Sequence, residues 1–152
     1  MPRGLRNNNP GNIVVGQPWN GLAERSAMKV FQQSETTFCV FAEPEWGLRV
    51  MGVILRTYKR KYGLSSPLAI VSRWAPASDP RNNPATYAVS VAKSMSATLN
   101  QTIGANDQID VDADAVLIGL IKAIAKVENG IVPPYSDVQY AAALLLLPAN
   151  LV

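Results

Sequence analysis

Acid–base chemistry in this 152-residue chain falls to carboxylates, Lys or Tyr, because it has no histidine and a single cysteine. That composition excludes a His-based catalytic triad, a His-rich zinc site and an internal cysteine cluster for zinc or iron. No metal and no cofactor is expected. Cys39, inside the apolar run FCVF, reads as a small buried hydrophobe and, without a histidine partner, as a poor nucleophile. Among the carboxylates Glu128 stands out. It lies near the end of ADAVLIGLIKAIAKVENG, Ala113 to Gly130, where Val116, Leu117, Leu120, Ile121, Ile124 and Val127 recur at helical spacing. Gly130 reads as a helix stop, so Glu128 falls in the last turn, where the helix dipole and apolar neighbours both disfavour an anion. A carboxyl group kept partly protonated is what a general acid for glycosidic cleavage requires. Taken alone, the residue reads as an ordinary surface Glu near a helix end; its surroundings decide.

The elements that must position it read as follows. Arg3 to Ile13, RGLRNNNPGNI, is a loop of turn-forming residues whose amides, Asn9 and Asn12 among them, suit sugar hydroxyl and acetamido groups. Trp19 and Trp46 offer faces that stack on sugar rings or fill a core. Met28 to Phe41 has apolar flanks around QQSETT and is predicted to form a β-hairpin with Ser34, Glu35, Thr36 and Thr37 at its tip. Glu35 is then a second carboxylate placed over a cleft, or a solvated turn residue. From Glu43 the pattern becomes helical and runs to Gly63. Further helices are predicted from Ser66-Pro67 to about Trp74, from Asn83-Pro84 through ATYAVSVAKSM, over Ala113 to Gly130, and from Tyr135 to Leu147.

Composition bounds the rest. With 48% hydrophobic and 16% charged residues, the chain reads as one globular domain over 1–152. Its longest apolar runs, such as AAALLLL at Ala141 to Leu147, are far too short to span a bilayer. The N-terminus has positive charge but no apolar stretch behind it, so no recognisable secretory signal peptide is expected. The net charge is +3 and the pI about 9.2, with Arg56, Lys59, Arg60 and Lys61 concentrated in one stretch. Such a stretch fits an anionic polymer but is also common on inert surfaces. Asp110, Asp112 and Asp114 alternate like the first ligands of an EF-hand, but Ala115 and Ile121 stand where its glycine and bidentate Glu belong; helix capping explains the acids better.

RNNNPGNI, PEWGLRVM, Tyr58, IVSRWAP and NNPATYAVSV together resemble a group of small virion-type proteins carried by bacteriophages and prophages, over roughly residues 3 to 95. A second resemblance is to the lysozyme-like peptidoglycan hydrolases, lytic transglycosylases included. In that superfamily a helix ends in a catalytic Glu, and an Asn-containing loop, a β-hairpin and more helices follow. KVENG is similar to the helix end, NPGNI to the loop, Met28 to Phe41 to the hairpin, and TYAVSV to the segment that places a tyrosine beside the acid. Here the Glu helix comes last, so the resemblance implies a circular permutant, which is cheap when the old termini lie close together. The fold it implies is α+β, mainly α-helical and lysozyme-like, with a small hairpin near the N-terminus and five or more helices.

The resemblance further implies a monomeric, phage-encoded glycosidase acting on bacterial peptidoglycan, at the β-1,4 bond after N-acetylmuramic acid. Glu128 would be the acid, Glu35 a base or transition-state stabiliser, and Tyr87 the residue that orients Glu128 or the leaving oxygen; Asn9, Asn12 and Thr37 would bind substrate. The protein would act from the host cytoplasm after a partner opens the membrane, or from the virion. A rival of another class is a non-catalytic virion or injected protein, in which Glu128 is exposed or paired with a base such as Lys126 and has no cleft before it. A nucleic-acid binder using Arg56 to Lys61 lacks a recognisable motif, so no nucleic-acid partner is expected. A metal-dependent amidase lacks ligands.

Overall fold

The computed structural model describes residues 1–152 and contains six α-helices: α1 (Arg3–Arg6), α2 (Pro44–Tyr62), α3 (Pro67–Trp74), α4 (Pro84–Leu99), α5 (Asp114–Asn129) and α6 (Asp137–Leu145). Their ends follow local chemistry. Proline occupies the first turn of α2, α3 and α4, where its missing N–H costs nothing. Ser66 accepts from the Ala69 amide and Asn83 from the Thr86 amide, capping α3 and α4. Ser136 and Gln139 form a reciprocal capping box that starts α6. Gly63 (φ 63°) and Gly130 (φ 70°) end α2 and α5 in the left-handed conformation that a Cβ disfavours.

α5 is the central element. Leu117, Leu120, Ile121 and Ile124 are fully buried against α2, α4 and their neighbours, in one core with Leu48, Met51, Leu55, Ile70, Val91, Met95 and Tyr140. Truncating one of these leucines to Ala costs about 2–5 kcal/mol. A smaller cluster of Cys39, Phe41 and Val50 ties the N-terminal third to α2, with Trp46 packed against it.

The hairpin expected over Met28 to Phe41 does not form, and the α+β, lysozyme-like architecture, permuted or not, falls with it. The fold is helical and has no sheet: the segment contains a 3-10 turn at Val30–Gln32, and only isolated antiparallel bridges occur, at Val14–Phe38 and Leu22–Phe41. The reason lies in the three successive asparagines. The Asn9 side chain donates to the carbonyls of Ile13 and Cys39, and Asn8 to those of Phe41 and Ala42. Asn7 donates to Glu35, while its carbonyl accepts from the Phe41 amide. Groups that a second strand would pair are thus taken by the N-terminal loop.

Three of the four cations of the basic stretch are equally committed, Lys61 being the exception. Arg56, 1% exposed, donates to the carbonyls of Val111, Asp112 and Leu151 and to the Asp114 carboxylate. Lys59 reaches Asp110 and Asp112, and Arg60 reaches Asp112. The three aspartates therefore neutralise α2; none is the N-cap of α5, which is Ala113, while Asp114 does stand in that helix's first turn as an acid at its N-terminus.

Candidate functional site

Glu128 is half-buried in the last turn of α5, and side chains from three other segments converge on it. The Tyr87 hydroxyl, from the first half of α4, donates to Oε1 at 2.9 Å. The Trp74 indole Nε1, at the end of α3, donates to the same oxygen at 3.2 Å. Asn12 Nδ2 donates to Oε2 at 3.2 Å and to the Glu128 carbonyl at 3.3 Å. No Lys or Arg pairs with the carboxylate. Oε1 is therefore saturated by two donors, while Oε2 keeps one acceptor position open.

The loop that delivers Asn12 is built for close approach. Asn12 itself is left-handed (φ 50°), a conformation asparagine tolerates better than most residues. A Cβ at Gly11 would meet Met51 Cγ at 3.0 Å and Trp74 Cζ2 at 3.1 Å, so glycine lets the loop lie against Trp74. Asn129, next to Glu128, donates to the Pro10 carbonyl at 2.8 Å and anchors the loop to the helix end. Burial, followed by the neighbouring Glu128 charge, raises the Tyr87 hydroxyl well above its ordinary value. Tyr87 thus remains a proton donor in a hydrogen bond and is not itself an acid at neutral pH.

Glu128, Asn12, Trp74, Ala75, Phe38 and Asn82 are among the walls of a cleft of about 340 Å³. A wider groove of about 780 Å³ adjoins it, since Ile54 and Tyr58 line both; it runs between α2 and α3 past Trp19, Tyr62 and Arg73. Glu128 is the sole carboxylate among the residues lining the two.

The structure thus brings Glu128, Tyr87 and Asn12 together and places Glu35, Thr37 and Asn9 elsewhere. Glu35 points inward, its side chain 6% exposed, and is held by Arg3 at 2.8 Å, by Asn7 and by the amides of Thr37 and Phe38. The Arg3 guanidinium first, then these lesser donors, keep its carboxyl far below the usual carboxylate range. It is a fastener of the N-terminal segment and not a second carboxylate over the cleft. Asn9 is wholly buried with its amide spent on backbone, and exposed Thr37 belongs to the Glu35 turn. Trp46 packs over Gly21 and in the Cys39–Phe41 cluster, whereas Trp19 lines the groove. Trp74 is the site residue that the spacing of the sequence did not single out. Its place at the end of a capped helix, nine residues before the Asn83-Pro84 start, is the one local signal it carries.

No helix is long and apolar enough to cross a membrane. No protein-family model matches the chain. The chain is 35% identical over 132 residues, 84% of its own length and 71% of the relative's, to Protein P5 of Pseudoalteromonas phage PM2. The phage affiliation expected from the N-terminal motifs rests on this relative. The chain belongs to the same family as Protein P5 of Pseudoalteromonas phage PM2.

Proposed function

We propose that the chain is a peptidoglycan-degrading glycosidase that cleaves the β-1,4 bond between N-acetylmuramic acid and N-acetylglucosamine, with Glu128 as general acid. One observation carries this reading: a half-buried carboxyl group without a basic partner, oriented by Trp74, Tyr87 and Asn12, lines a cleft that adjoins a larger groove. A groove of that kind suits a polymer, and a positioned acid is typically worth about 100- to 10,000-fold.

With Oε1 occupied by two donors, the proton of the acid form sits on Oε2. Its transfer to the bridging oxygen accompanies cleavage of the bond from C1 of the muramic acid, and N-acetylglucosamine leaves with a free O4 hydroxyl. Glu128 is then a carboxylate beside an electron-poor C1. In the absence of a second lining carboxylate, Glu128 also serves as base, taking the proton from whichever hydroxyl attacks. Attack by the O6 hydroxyl of the muramic acid closes a 1,6-anhydro ring; attack by water gives hydrolysis. Either route returns the proton to Glu128.

A second reading, a non-catalytic virion or injected component, is favoured by the convergence of three donors and no acceptor on Glu128. There the residue is a clasp joining α3, α4 and the N-terminal loop to α5. The test is to incubate wild type and Glu128→Gln with isolated peptidoglycan and to analyse soluble fragments by mass spectrometry, with thermal melts of both proteins. Muropeptides from wild type alone support the glycosidase, and the mass of the muramic end separates the two routes. No fragments from either protein, with a lowered melting temperature in the variant, support the clasp.

A further inference from the structure

We infer that the groove beside the Glu128 cleft is a subsite for an acidic peptide, the stem peptide carried by muramic acid on the substrate strand; the choice of this peptide rests on the glycosidase reading. The groove shares Ile54 and Tyr58 with the Glu128 cleft, so the two lie side by side and a substituent of a ligand held at Glu128 is within reach of it. Two cations line it, Lys61 and Arg73, and no Asp or Glu does. Neither cation has an acidic partner in the protein, unlike Arg56, Lys59 and Arg60 on the same helix as Lys61.

Arg73 is also preorganised. Its guanidinium carbon stands 3.7 Å from the Tyr62 ring centroid and 5.5 Å from that of Tyr58. Stacking fixes the group while leaving its N–H donors unspent, the arrangement that suits bidentate binding of a carboxylate. Val53 and Leu64 give the groove an apolar wall beside these charges. A peptide-stripped strand offers the two cations only the single lactyl carboxylate of each muramic acid, held close to the sugar ring. A nucleic acid would need a basic face continued along α2, and the aspartates remove it. The stem peptide combines small methyl side chains with free carboxylates and is tethered to the muramic acid next to the cleaved bond.

The test uses the full chain and a synthetic stem tetrapeptide, L-alanyl-γ-D-glutamyl-diaminopimelyl-D-alanine, titrated by calorimetry. The wild type is expected to bind it, and the Lys61→Gln/Arg73→Gln double variant, with an unchanged melting temperature, at least tenfold more weakly. The same peptide with its carboxylates amidated is expected to bind wild type at least tenfold more weakly, and inorganic phosphate not to displace the acid form. Equal binding by the double variant, equal binding of the amidated peptide, absence of binding, or displacement by phosphate at matched concentration would each overturn the subsite. On glycan strands, the double variant is expected to raise KM about tenfold for peptide-bearing strands and to erase their advantage over peptide-stripped ones. Cleavage by wild type without tetrapeptide binding removes the subsite and leaves the glycosidase. Tetrapeptide binding that needs Lys61 and Arg73, with no cleavage by wild type, removes the glycosidase and keeps the acidic-peptide site.

Discussion

The Tyr87 hydroxyl donates to Glu128 Oε1 at 2.9 Å across the α4–α5 contact, sharing that oxygen with Trp74. Replacing Tyr87 with Phe keeps the ring and deletes this one donor. The variant is expected to lose about 1 kcal/mol of stability, the typical net worth of one hydrogen bond, and about tenfold in strand cleavage, because the carboxyl then keeps only Trp74 and Asn12. Urea unfolding and fragment release, measured side by side, check both parts.

The Glu35 fastener makes stability depend on pH. Its carboxyl is depressed below its ordinary value of 4.5 by the Arg3 side chain above all, with help from the Phe38 amide, Asn7 and the Thr37 amide. A depressed folded value means that the stabilisation is fully present above the unfolded value. It is lost as the pH falls from there towards the folded one. Urea midpoints are expected to be flat between about pH 6 and 8 in this respect and to fall below about pH 4.5. Glu35→Gln should lower the midpoint at pH 7 and reduce its decline in acid; an unchanged slope would argue against the pair.

Asn9 separates a structural loop from a sugar-binding one. Wholly buried, it exchanges three hydrogen bonds with the backbone of Ile13 and Cys39. Asn9→Ala leaves those groups unpaired and is expected to cost about 3 kcal/mol. Its effect on cleavage should vanish once rates are normalised to the folded fraction, whereas a true substrate contact would raise KM in the folded enzyme.

Arg56 and Lys61, five positions apart on α2, should behave oppositely. Arg56→Ala strands the carbonyls of Val111, Asp112 and Leu151 and is expected to cost about 3 kcal/mol or more. Lys61→Ala is a surface change and should stay within about 0.5 kcal/mol. Denaturant titrations of the two variants settle the comparison.

Helix ends were legible because their signals are local. Ser66-Pro67, Asn83-Pro84, Gly63 and Gly130 each act on the backbone within one turn, and the 3.6-residue period of Leu117 to Ile124 marks a buried face by itself. The position of Glu128 in a last helical turn followed from those same local rules. What surrounds Glu128 did not, because Trp74, Tyr87 and Asn12 lie 54, 41 and 116 positions away and meet it only when α3, α4 and the N-terminal loop pack on α5. The hairpin expectation failed for a related reason. The β-branched and aromatic flanks of Met28 to Phe41 do resemble strands, but a side-chain amide competes for the same carbonyls as a strand partner, and Asn8 and Asn9 stand close enough to win. Whether an asparagine faces solvent or a buried backbone, and whether a glutamate meets a cleft or an arginine, is decided by which segments the core draws together. Residue type and spacing determined the helices; packing of distant segments decided the partners of Glu128 and Glu35.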